Sequence, residues 1–106
     1  MKPPAINIIS WNANGLGAHL DELLYFLDTN TICPDFICIQ ETWLYSDLLP
    51  NIPGFNSIHT YRNKKKGGGS AIYVRNYIEF SKIDKVTFES IDIEVAGVSF
   101  KNKNHE

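Results

Sequence analysis

The sequence holds only two cysteines in 106 residues, Cys33 and Cys38. Two thiols cannot make a disulfide scaffold, and their spacing matches no zinc-finger pattern. Both are expected to be reduced and buried, Cys38 within an apolar run and Cys33 just ahead of Pro34. Long hydrophobic runs are missing too: nothing approaches the ~20 residues that span a bilayer, so no membrane-crossing helix is expected. The opening residues MKPPAINIIS lack the apolar core of a secretory signal, and Pro3 and Pro4 disfavour a helical one. An intracellular, non-secreted protein is the expectation. The three histidines, His19, His59 and His105, are scattered and none pairs with another at metal-ligand spacing. Each is read as structural. There is no excess of positive charge either: the net charge is −2, so any contact with nucleic acid needs a local patch. The 43% hydrophobic and 12% aromatic content belongs to a globular chain, and the length allows one domain.

Two segments share a pattern. Ile6–Trp11 is an apolar strand that runs into Asn12, Asn14 and Gly15. Phe36–Gln40 is a strand of the bulk expected for burial on both faces, and it runs into Glu41, Thr42 and Trp43. Between them, Leu20, Leu23, Leu24 and Leu27 repeat at helical spacing, which predicts a helix over Leu20–Thr29. Asp21 and Glu22 fall in its expected first turn, where negative charge suits the helix dipole. A strand–helix–strand order places both strand exits on one rim, bringing Asn12 and Glu41 together despite their separation in sequence. A carboxylate held there is the type of oxygen ligand that Mg²⁺ takes. An Asn side chain offers a donor and an acceptor, and Asn-x-Asn-Gly is also ordinary turn chemistry. Packing is the expected role of Trp11 and Trp43.

Further on, Asn56–Tyr61 and Ser70–Val74 read as two strands joined through Gly67–Gly69, an antiparallel hairpin. Its tip, Arg62, Lys64, Lys65 and Lys66, is the one basic cluster, and with Tyr61 beside it the tip is suited to a phosphate backbone. It is not a P-loop, because its lysines precede the glycines. Ile78–Lys82, Val86–Glu89 and the alternating Ile91–Val95 read as further strands, with a bulge at Gly97 and a frayed tail over Lys101–Glu106.

Ser10–Leu16 (SWNANGL), Gln40–Thr42 (QET) and Tyr61–Arg75 (YRNKKKGGGSAIYVR), in this order, resemble the motifs of the endonuclease/exonuclease/phosphatase superfamily. The forms QETWL and GGGSAIYVR look closest to the endonuclease domains of LINE-type non-LTR retrotransposons. The resemblance implies an α/β fold, the N-terminal half of a DNase I-like four-layer sandwich, matched from about residue 6 to 100. It also implies metal-dependent phosphodiester hydrolysis with Mg²⁺ or Mn²⁺ held by Glu41. Asn12 would act at the phosphate; Asn14, Tyr61, Arg62, Lys64, Lys65 and Lys66 would contact nucleic acid. Asn14 stands where some members carry a second acidic ligand, and an amide does not replace that charge. DNA is the implied partner, with the rest of the domain or a reverse transcriptase domain in a longer parent chain, and the nucleus the implied compartment.

The family's later motifs, a G-D-F-N segment and a terminal S-D-H, have no match; Ser46-Asp47 is followed by Leu48. The isolated chain is therefore expected to show little or no activity, since losing one such group costs ~10²–10³ in rate. An uncovered apolar sheet face and open strand edges are expected with it. A phosphoinositide, a sphingolipid or RNA as substrate, or a non-enzymatic remnant that grips nucleic acid through residues 62–66, stay open at this point.

Overall fold

A computed structural model describes residues 6–29, 33–44, 48–60, 68–82 and 98–100. The chain begins with a parallel β–α–β unit: β1 (Ile8–Asn12), α1 (Leu16–Thr29) and β2 (Phe36–Gln40). An antiparallel hairpin follows, β3 (Phe55–His59) and β4 (Ser70–Arg75), and β4 also pairs antiparallel with β2. The sheet order is β1-β2-β4-β3, a mixed four-stranded sheet with one helix, as the α/β expectation required. A separate two-stranded sheet joins β5 (Phe80–Lys82) to β6 (Val98–Phe100).

The core follows from the strand register. Ile37 faces the same side as its partners Ile9 and Tyr73, and Ile39 the same side as Trp11 and Ala71. Leu16 and Leu23 of α1 are buried with this row, and Leu20, Leu24 and Leu27 pack against it. Tyr73 is 1% exposed; its hydroxyl donates to Pro50 O at 2.6 Å and its ring meets Phe55 edge-on. Burial pushes the Tyr73 phenol and the Cys38 thiol above their usual ranges. The opposite face is partly open: Ile8 is 62% exposed, and Cys38, Ile58 and Ile72 are half-buried. Among the described strands, β1 pairs on one side only.

Several boundaries differ from expectation, each for a local reason. The helix starts at Leu16, not Leu20, because Leu16 continues the leucine stripe one turn earlier and is fully buried. Asp21 and Glu22 consequently lie beyond the first turn, which holds no acidic residue. β3 starts at Phe55 because Gly54, at φ 90°, completes the turn that delivers the buried Phe55 to the sheet. β5 starts at Phe80 because Asn76–Ile78 form a turn, with Asn76 N–H donating to Gly54 O and Ile78 N–H to Arg75 O.

Cys33 is exposed, not buried, because it lies ahead of β2 and only the following Pro34 enters the core. Its Sγ accepts from Arg75 Nη2 at 2.8 Å, while Arg75 Nε donates to Pro34 O and the guanidinium lies 4.1 Å above the Phe55 ring. The strands expected at Val86–Glu89 and Ile91–Val95, the Gly97 bulge and the Lys101–Glu106 tail lie outside the described residues. Among the described residues no helix is long and apolar enough to cross a membrane.

Candidate functional site

The strand exits converge. Asn12 ends β1 in register with Gln40 at the end of β2, and Gln40 is in register with Ser70 at the start of β4. Adjacent strands lie about 4.8 Å apart, so residues 12, 41 and 69 are neighbours on one rim. Backbone bonds continue past the strands and stitch the rim together. Ala13 N–H donates to Gln40 O, Gly15 N–H to Glu41 O and Leu16 N–H to Thr42 O, all within 2.8–2.9 Å. On the other side Thr42 N–H donates to Gly69 O and Trp43 N–H to Gly68 O. The Glu41–Trp43 segment is thus held between the start of α1 and the glycine strand entry.

That segment is bent. Glu41 and Trp43 sit at φ 56° and 57°, and Asn14 at 49°. A non-glycine residue there costs about 1–3 kcal/mol and persists only when its surroundings hold it. Here they do: both flanks are hydrogen-bonded, and Thr42 between them is 1% exposed. Among the described residues Thr42 Oγ1 has no hydrogen-bond partner; it packs against Gly69, whose φ of 85° suits glycine alone.

Glu41 is half-buried, and its Oε1 accepts from the Trp43 indole N–H at 3.1 Å. Asn12 is exposed; its Oδ1 accepts from Asn14 N–H at 3.1 Å. The turn chemistry expected of Asn12 is therefore present: its side-chain oxygen shapes the turn that leaves β1. Asn14 is an exposed turn residue. The basic residues Arg62, Lys64, Lys65 and Lys66, with Tyr61, lie outside the described residues. Their flanks are at the rim: Thr60 N–H donates to Ser70 O, and Gly68 O accepts from Trp43.

Sequence reasoning placed Thr42 and Trp43 at the exit of β2, with packing as the role of Trp43, and missed the Trp43–Glu41 bond and the contact of Gly69 with Thr42. The Gly-Gly pair and a tryptophan two residues past a strand-exit carboxylate were the available signals. His19 pairs with Glu22 on the helix surface at 2.9 Å, as expected of a structural histidine. An apolar groove of about 360 Å³ lies between β1 and α1, lined by Ile9, Trp11, Leu23 and Phe26; it includes neither Asn12 nor Glu41.

Among the described residues no cluster of three or more His, Cys, Asp or Glu side chains could hold a metal. One carboxylate beside an amide suits Mg²⁺, which keeps several waters and substrate oxygens; it does not suit an all-protein cage.

The sequence matches the Endonuclease/Exonuclease/phosphatase family over residues 9–102. No curated protein matches it. Among solved structures, the chain is similar to the 3′ phosphatase NExo from Neisseria bound to a product DNA hairpin: TM-score 0.56 and 27% identity over 73% of this chain and 31% of that one. It is also similar to the Xenopus laevis APE2 catalytic domain, with TM-score 0.54 and 32% identity over 67% of this chain and 24% of the other. The fold is shared with an AP endonuclease from Archaeoglobus fulgidus, TM-score 0.52 at 23% identity, over 66% and 27% of the two chains. The chain spans less than a third of the length of each. With its β–α–β start, mixed sheet and shared rim, it belongs to the endonuclease/exonuclease/phosphatase family of nucleases and phosphatases.

Proposed function

We propose that this rim is the metal- and phosphate-binding part of a divalent-metal-dependent nuclease that acts on DNA. The observation that carries the reading is the placement of Asn12 and Glu41 at the ends of adjacent parallel strands, with Glu41 held in a bent, doubly hydrogen-bonded segment. A Mg²⁺ or Mn²⁺ bound there supplies positive charge to the scissile phosphate and the leaving oxygen. Glu41 holds that ion through its carboxylate. Asn12, its Oδ1 committed to Asn14 N–H, presents Nδ2 donors to a phosphate oxygen. Arg62, Lys64, Lys65 and Lys66 lie in the sequence between Thr60 and Gly68, two residues of the same rim, and would add positive charge for the phosphate backbone.

DNA as the substrate class is supported by the Neisseria relative, which is described with a product DNA hairpin. QETWL and GGGSAIYVR favour the retrotransposon branch within the family. The domain this chain contributes to is read as longer than residues 9–102, and strong catalysis is assigned to that longer assembly. The test is retention of a short duplex DNA by the purified chain with Mn²⁺ or with EDTA. Retention should need Mn²⁺, vanish in Glu41→Ala and weaken in Asn12→Ala. Equal retention in EDTA, or in Glu41→Ala, would count against the reading.

A further inference from the structure

We infer that Trp43 is the positioning residue for Glu41, fixing one carboxylate oxygen so that the other faces a divalent cation. The inference rests on the reading of Glu41 as the cation-holding group. Three contacts close a circuit. The Trp43 indole N–H donates to Glu41 Oε1 at 3.1 Å. The indole ring packs on Gly15, where a Cβ would stand 2.7 Å from Cε3 and 3.1 Å from Cζ3. Gly15 N–H in turn donates to Glu41 O at 2.8 Å. Backbone and side chain of Glu41 are therefore both held by groups that also hold each other.

Gly15 is required twice in this circuit. Its φ of 99° turns β1 into α1, and its missing side chain receives the indole. Trp43 N–H also donates to Gly68 O, which anchors the backbone that carries the ring. The chemistry of an indole suits the task. It donates one hydrogen bond and accepts none, so it orients a carboxylate without competing for the cation. Glu41 is half-buried, which limits the rotamers open to a flexible side chain. Groups that orient metal ligands in this way change metal affinity by about 10–100-fold when removed.

Trp43→Phe deletes the donor and also trims the six-membered ring that lies on Gly15. The measurement is Mn²⁺ affinity by electron paramagnetic resonance for the intact chain, Trp43→Phe and Glu41→Ala. Thermal melts without metal run beside it. The expected result is affinity lowered about 10–100-fold in Trp43→Phe, measured at a temperature where the metal-free melts show both proteins folded. Affinity lost in Glu41→Ala but unchanged in Trp43→Phe would overturn this inference and leave the site reading standing. Affinity unchanged in both variants would overturn the two together. A second readout needs no change at the site. In Trp11→Phe the single remaining indole N–H gives one NMR resonance, which should shift as Mg²⁺ is added. A resonance that stays fixed through Mg²⁺ saturation would also overturn it.

Discussion

Replacing Gly69 with alanine places a methyl group onto the Thr42 hydroxyl and 3.2 Å from Thr60 O. Two penalties add. Alanine at φ 85° leaves the allowed region at a cost of roughly 1–2 kcal/mol. The overlap with Thr42, which is fully buried, adds about 1–3 kcal/mol. Gly69→Ala should therefore lose about 2–5 kcal/mol in urea unfolding followed by circular dichroism. That is a large share of the roughly 5–15 kcal/mol of a typical domain. The two penalties separate in a double-mutant cycle. In a Thr42→Ala background the clash with the hydroxyl disappears while the backbone part and the Thr60 O contact remain, giving a coupling of about 1–3 kcal/mol. A Gly69→Ala cost below about 0.5 kcal/mol, or strictly additive variants, would refute the claim that Thr42 and Gly69 lock the rim.

Leu16→Ala removes a fully buried side chain that starts α1 and should cost about 2–5 kcal/mol in the same assay. Stability should also fall at alkaline pH. Burial raises the folded Cys38 and Tyr73 above their unfolded values, so both favour the folded state while protonated. That contribution is complete below about pH 8.5 and declines as pH rises past the unfolded Cys and Tyr values. Tyr73→Phe should flatten the upper part of the decline in urea midpoints taken from pH 8 to 11. Iodoacetamide at pH 8 should label the exposed Cys33 well before the half-buried Cys38, read by mass spectrometry. For DNA binding, replacing Lys64, Lys65 and Lys66 with alanine should shallow the slope of log affinity against log salt by about 2.7. Plasmid nicking by the isolated chain with Mg²⁺ should stay at the level of Glu41→Ala.

The parts of this fold legible in the sequence are those set by burial. Phe36–Gln40 could be read to the residue because Phe36, Ile37 and Ile39 are buried and Cys38 is half-buried, which leaves an unbroken apolar run. The common rim of Asn12 and Glu41 followed from strand–helix–strand order alone. The helix start was hidden because Gly15 and Gly17 flank Leu16 and mimic a turn, whereas only Gly15 bends the chain. The Trp43–Glu41 bond was illegible for a different reason. It depends on two non-glycine residues at positive φ, which no local propensity favours and which bonds from Gly15, Gly68 and Gly69 impose. The exposure of Cys33 was missed because its surroundings are set by Arg75, 42 residues away in sequence.

The central claim is that Glu41 holds a divalent cation at this rim. The most direct measurement is the Mn²⁺ dissociation constant of the chain and of Glu41→Ala, taken by titration at neutral pH. The account predicts one saturable site in the parent chain, and in Glu41→Ala a loss of at least the ~10–100-fold that an orienting group alone commands. Equal Mn²⁺ affinity in the two proteins would contradict it.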